Sequence, residues 1–169
     1  MSARVDFSKL SLMDALDLAC LIEVEAAQRY EEFADGLGHR REGDAASVFR
    51  SMADNERKHG EDLAQRRHAL FGDTPPNLTR DDLFDVEAPD YGAPRWNLSV
   101  RGAFEIALAA EHKAHDFYDT ALPTVQHPDV KALFRELRAE EVEHIHLVED
   151  ILAKLPAEAA NALTDEDED

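Results

Sequence analysis

Glycine and proline occur only seven times each in 169 residues, and they cluster. The clustering leaves four long stretches, 11–37, 44–71, 99–122 and 128–155, with few helix breakers inside them. Ser11 stands where an N-cap belongs, with Asp14 three residues on, and Gly36 and Gly38 close the first stretch. The second opens after Gly43 and stops at Gly72 and the pair Pro75-Pro76. The third ends before Pro123. The fourth opens at Pro128, a residue suited to the first helical turn, and ends before Pro156.

Each stretch repeats apolar residues at helical spacing. The first carries Leu12, Leu16, Ala19, Ala26, Tyr30, Phe33 and Leu37, and the second Phe49, Met52, Ala53, Leu63 and Leu70. The third carries Val100, Phe104, Ala107, Leu108, Tyr118 and Leu122. The fourth carries Val130, Leu133, Phe134, Leu137, Val148, Ile151 and Leu155. Nothing alternates as a strand does, so the expectation is an all-α chain of four helices.

The connections order them. A few residues join the first helix to the second, and about as few join the third to the fourth, which predicts two antiparallel hairpins. Between the hairpins lie 27 residues, 72–98, rich in proline, aspartate and turn formers. At ~1.5 Å per residue a helix of about 25 residues spans roughly 40 Å. The connecting segment can run that whole length as a crossover, with a short helix expected over 81–86. Residues 1–163 then form a single four-helix domain, and 164–169 (TDEDED) an acidic tail.

Charge and cysteine content narrow the function. With 18 Lys+Arg against 37 Asp+Glu the net charge is −19, which excludes a basic nucleic-acid face and disfavours anionic membranes. The sign suits cations. Cys20 is the single cysteine, so neither an internal disulfide nor a Cys-ligated zinc, iron–sulfur or rubredoxin-like centre can form. The apolar run 18–22 is flanked by Asp14, Asp17 and Glu23 and lacks a cleavage pattern. A soluble cytoplasmic protein is expected.

Four carboxylates stand on the wrong face. Glu23 falls on the apolar stripe between Ala19 and Ala26, and Glu56 with His59 fills the gap between Met52 and Leu63. Glu111 follows Leu108 and precedes Tyr118, and Glu141 with His144 fills the gap between Leu137 and Val148. Each helix thus aims a carboxylate inward near its middle, and two helices add an imidazole one turn on. Unpaired carboxylates in a core are costly, and four together repel one another. Two divalent cations balance four carboxylates, with one imidazole nitrogen for each ion. Glutamate oxygen with histidine nitrogen suits iron or manganese better than calcium.

The pattern is doubled: a Glu with a Tyr seven residues later (Glu23 and Tyr30, Glu111 and Tyr118), then Glu-x-x-His (Glu56 and His59, Glu141 and His144). In this it resembles the ferritin-like superfamily, most closely its rubrerythrin branch, over about residues 12–155. The resemblance implies a ferritin-like bundle of two helix hairpins holding two iron ions, with manganese or a mixed pair as alternatives. By the same resemblance Glu23, Glu56, His59, Glu111, Glu141 and His144 are the metal ligands, and Glu56 and Glu141 the bridges. Tyr30 and Tyr118 are then hydrogen-bond partners of ligating carboxylates. The implied chemistry is oxidoreduction of peroxide or dioxygen in a homodimer or higher homo-oligomer. Rubrerythrins also carry a cysteine-bound rubredoxin domain, which a single Cys cannot build, so an external electron donor is implied. Many place a further carboxylate where this chain has Ala114; His115, four residues after Glu111, is the candidate to reach the site instead.

The remaining features read as ordinary structure. Glu143 and His146 repeat Glu-x-x-His, but off the apolar stripe. Glu25, His68 and His112 point to solvent, His39 and His127 lie at loops, Trp96 is a packing anchor and Cys20 a small core residue. Two other functions compete with the peroxide- or dioxygen-reducing one. One is an iron-binding ferroxidase, storage or delivery protein. The other is a metal-free helical interaction module.

Overall fold

The computed structural model describes residues 5–38, 43–82, 86, 88–90 and 97–157. Four helices carry the fold: α1 (Leu12–Leu37), α2 (Ala45–Phe71), α3 (Val100–Ala121) and α4 (Pro128–Lys154), with no strand among the described residues. Their ends are set by local chemistry. Ser11 and Asp14 form a capping box, each side chain accepting the other's backbone N–H at 3.1 and 3.4 Å. Asp44 and Ser99 cap α2 and α3 by accepting the N–H groups of Ser47 and Gly102, each at 2.9 Å. His127 Nδ1 accepts the Asp129 N–H at 3.1 Å, and Pro128 takes the first turn of α4. Gly72 ends α2 at φ 58°, a left-handed conformation that side chains resist.

The helices make an all-α four-helix bundle in which α1 packs along α2 and α3 along α4, as two hairpins; α2 meets α3, and α1 meets α4, along the seams. Buried side chains divide into two apolar clusters. One joins the first half of α1 (Leu16, Leu18, Ile22) to Leu63, Tyr118, Leu133, Phe134 and Leu137. The other joins the second half of α1 (Tyr30, Phe33, Leu37) to Phe49, Met52, Ala103, Ala107 and Ala110. Phe49, Phe134, Leu16 and Leu133 are completely buried, and each such side chain contributes ~1.5–3 kcal/mol of hydrophobic stabilisation.

The crossover travels from one cluster to the other. Phe71, Leu78 and Val86 pack against the first cluster and Leu98 against the second. Between them, Arg29 of α1, only 3% exposed, donates to the Pro89 carbonyl at 2.7 Å, and Lys113 of α3 holds the Ala88 carbonyl and Asp90. Where a short helix is expected over 81–86, the described residues hold a 3-10 turn, Arg80–Asp82, whose Asp82 carboxylate accepts the Thr79 N–H at 2.8 Å and caps its start. Residues 83–85 lie outside the described residues, as do His39, Trp96 and the acidic tail.

Two stripe positions differ by one residue from expectation. Leu70 is 56% exposed because Phe71 takes the contact with the first cluster. On α4 the inward positions are Ile145 and Val148, with Leu152 half-buried, whereas Ile151 is exposed. No helix among the described residues is long and apolar enough to cross a membrane.

Candidate metal centre

The gap between the two apolar clusters is filled by carboxylates. Glu23 follows Ile22 of the first cluster, and Glu56 lies between Ala53 of the second and Leu63 of the first. Glu111 lies between Ala110 and Tyr118, and Glu141 one turn beyond Leu137. All four are buried, at 2–6% exposure. Helical periodicity does this: each glutamate occupies a stripe position, so packing the stripe carries it inside.

The glutamates gather with the two histidines into two groups. Glu23, Glu56 and His59 each offer a ligand atom within 4.8 Å of the others, and so do Glu111, Glu141 and His144. His59 Nδ1 lies 3.9 Å from Glu23 Oε2 and 3.7 Å from Glu56 Oε2. His144 Nδ1 lies 3.4 Å from Glu111 Oε2 and 3.6 Å from Glu141 Oε2. These are ion-pair separations, at or beyond the long end of hydrogen-bond distance. The two imidazoles bring the groups together: their ring centroids are 4.8 Å apart and their planes 3° from parallel. One group belongs wholly to the α1–α2 hairpin and the other wholly to α3–α4.

Electrostatics marks the layer as short of positive charge. Burial, with the neighbouring Glu56, Glu141 and Glu111 charges, pushes the Glu23 carboxyl up to about 11. Burial also pushes Glu141 up to about 8, against the pull of His144. Contacts with Glu111 and Glu141 hold the His144 imidazole up at about 10. One carboxylate oxygen each of Glu23, Glu111 and Glu141 is buried with no hydrogen-bond donor among the described residues. Buried oxygens without donors, in two compact sets of two carboxylates and one imidazole, fit two divalent cations. The cations would replace protons as the compensating charge.

The other candidate residues separate clearly. Tyr30 stacks on Phe49 in the second cluster, and Tyr118 packs between Phe117 and Phe134 in the first, so the two buried tyrosines lie on opposite sides of the carboxylate layer. His115 is not in either group; its Nδ1 pairs with Asp116 Oδ1 at 3.1 Å. Glu143, His146, His68 and His112 are exposed, His127 caps α4, and Glu25 is half-buried. Cys20 is partly buried against the first cluster, and burial raises its thiol to about 11.

Sequence reasoning missed Gly60. It sits one turn after Glu56 in the middle of α2, where a Cβ would come within 3.3 Å of the Glu23 Cβ. A mid-helix glycine costs about 0.5–1 kcal/mol relative to alanine. Here it lets α1 and α2 approach closely beside His59. Its place on the Glu56 face, at i+4, is the signal that could have singled it out.

The family model described as rubrerythrin matches residues 14–152. Among solved structures, an uncharacterized conserved protein from Magnetospirillum magnetotacticum is 30% identical, with a TM-score of 0.66, over 89% of this chain and 99% of that one. A hypothetical protein from Pyrococcus furiosus is 20% identical, with a TM-score of 0.53, over 85% of this chain and 89% of that one; this is a likeness of fold. No curated protein matches the sequence. A family match along most of the chain, on a bundle with Glu/His groups that could hold metal, shows that this protein belongs to the rubrerythrin family.

Proposed function

We propose that this protein is a di-iron carboxylate oxidoreductase, with manganese or a mixed pair as alternative metals, that reduces peroxide or dioxygen. The observation that carries the reading is the meeting of two Glu-Glu-His groups across the stacked His59 and His144 rings. When bound, two redox-active divalent ions supply the electron pair that cleaves an O–O bond. Glu23, Glu56 and His59 would hold one ion, and Glu111, Glu141 and His144 the other. Glu56 of α2 and Glu141 of α4 would be the carboxylates shared between the two ions.

The surrounding side chains serve that layer. The two apolar clusters exclude water from above and below, which strengthens every charge interaction inside it. Tyr30 and Tyr118, one from each side, are assigned to orient ligating carboxylates and to pass protons to the reduced oxygens. His115, on the helix of Glu111 and paired with Asp116, is assigned as a proton donor from the rim. Electrons are assigned to a donor other than Cys20, which alone cannot build a thiolate iron centre.

The test is metal content and the visible spectrum of protein purified without chelator, before and after anaerobic Fe²⁺ loading. About two irons per chain, oxidised faster by one equivalent of peroxide than by air, is the expected result. Faster oxidation in air would make the protein a ferroxidase or iron-handling protein. No bound metal, and no stability change with iron or manganese, would leave a metal-free helical module.

A further inference from the structure

Glu56 is only 2% exposed, yet a groove of about 410 Å³ along the seam between α1 and α2 ends on it. Val24 and Ala27 of α1 form one wall, and Gly60 and Ala64 of α2 the other. Positions 56, 60 and 64 follow one another at single-turn intervals, so the lining of α2 descends along one helix face to the carboxylate. At positions 60 and 64 that face carries nothing larger than a methyl group. A side chain at Gly60 would press on Glu23 and fill the space.

The rim is charged as well. Arg57 is ion-paired with Glu31 across the groove and with Asp54 at 2.5 Å, so its positive charge is already matched twice. Glu61 also lines the groove and adds a further negative charge. A narrow cleft with this balance concentrates cations. The approach between α2 and α4 leads instead onto the stacked, partly exposed His59 and His144 rings. On the crossover side, Arg29 and Lys113 hold the 88–90 segment against α1 and α3.

We propose that the α1–α2 groove is the entrance through which a divalent cation reaches the carboxylate layer, kept open by Gly60 and Ala64. The inference rests on the two-metal reading and adds a route to it. Ala64 and Val24 are both exposed, so a large side chain at either position narrows the groove without entering the core.

The experiment measures Co²⁺ uptake by the chelator-treated protein in stopped flow, together with equilibrium affinity and stoichiometry by titration. Ala64→Phe and Val24→Phe are each expected to slow uptake by roughly tenfold, because binding must then wait for the groove to open. Affinity and stoichiometry at equilibrium stay as in the wild type. Leu147→Phe, one turn beyond His144 on the exposed side of α4, leaves the uptake rate unchanged. Circular dichroism checks that each variant is folded. Wild-type rates in both groove variants, or slowing by Leu147→Phe alone, overturn the entrance while leaving the two-metal reading intact. Absence of Co²⁺ binding by the wild type removes that reading and the entrance with it.

Discussion

His59 of α2 and His144 of α4 lie face to face in nearly parallel planes, 4.8 Å between ring centres, although they belong to different hairpins. Each ring also stands within 4 Å of both carboxylates of its own group. The stack therefore joins two half-sites that are otherwise built independently.

Replacing one ring should disable one half. His59→Ala is expected to weaken binding of one ion by at least the roughly 10- to 100-fold that loss of a supporting partner costs, leaving the second ion in place. His144→Ala should do the same for the other half. Calorimetric titration with Mn²⁺ checks this. Equal loss of both ions in either variant would show that the halves do not bind separately.

Acid should stabilise the metal-free protein. The Glu23 and Glu141 carboxyls are raised to about 11 and about 8 in the fold, above an unfolded value near 4.5. A carboxyl raised in this way favours the fold fully below its unfolded value and loses that contribution as pH climbs towards its folded one. The slope is at most ~1.4 kcal/mol per pH unit for each group. Thermal melts of chelated protein should therefore rise from pH 8 to pH 5. Excess Mn²⁺ should reverse the trend, since protons then compete with the ions. Glu23→Gln should flatten the metal-free profile and remove much of the gain from metal.

Arg29→Ala should destabilise the protein by about 2–3 kcal/mol, because a buried guanidinium bonded to the Pro89 carbonyl is lost and that carbonyl is left without its donor. Urea denaturation measures the loss. Limited proteolysis should show faster cutting within the crossover than in the helices. An unchanged midpoint would mean that the Arg29–Pro89 contact contributes nothing to the fold.

Cys20 should be a slow thiol. Burial, helped by the nearby Asp17 charge, lifts it to about 11, so little thiolate exists at neutral pH. Its reaction with a disulfide reagent should still be accelerating at pH 10 and should become fast in urea. Rapid modification of the native protein at pH 7 would contradict this burial.

Much of the architecture was legible because its signals are local. Ser11 with Asp14, the run from Asp44 to Gly72, and Pro128 mark helix ends through backbone chemistry confined to a turn. The six candidate ligands were legible for a different reason: a glutamate on an apolar stripe contradicts its surroundings, and the contradiction repeats on four helices. What the sequence hid depends on distant partners. Arg29 lies one turn before Phe33 on the stripe of α1, but its acceptor is sixty residues away. Lys113 and Gly60 gain their meaning only from the crossover and from Glu23. The slips at Leu70 and Ile151 arose because neighbours one residue along, Phe71 and Leu152, face inward instead.

The assignment of each three-residue group to a single hairpin has a mechanical consequence. If one hairpin slides or tilts against the other, the spacing between the two three-residue groups changes while neither group is dismantled. The two groups are like facing pages that each carry half of the text. Small movements along the seams would therefore alter the distance between the two donor sets, and any carboxylate shared between them would limit that travel.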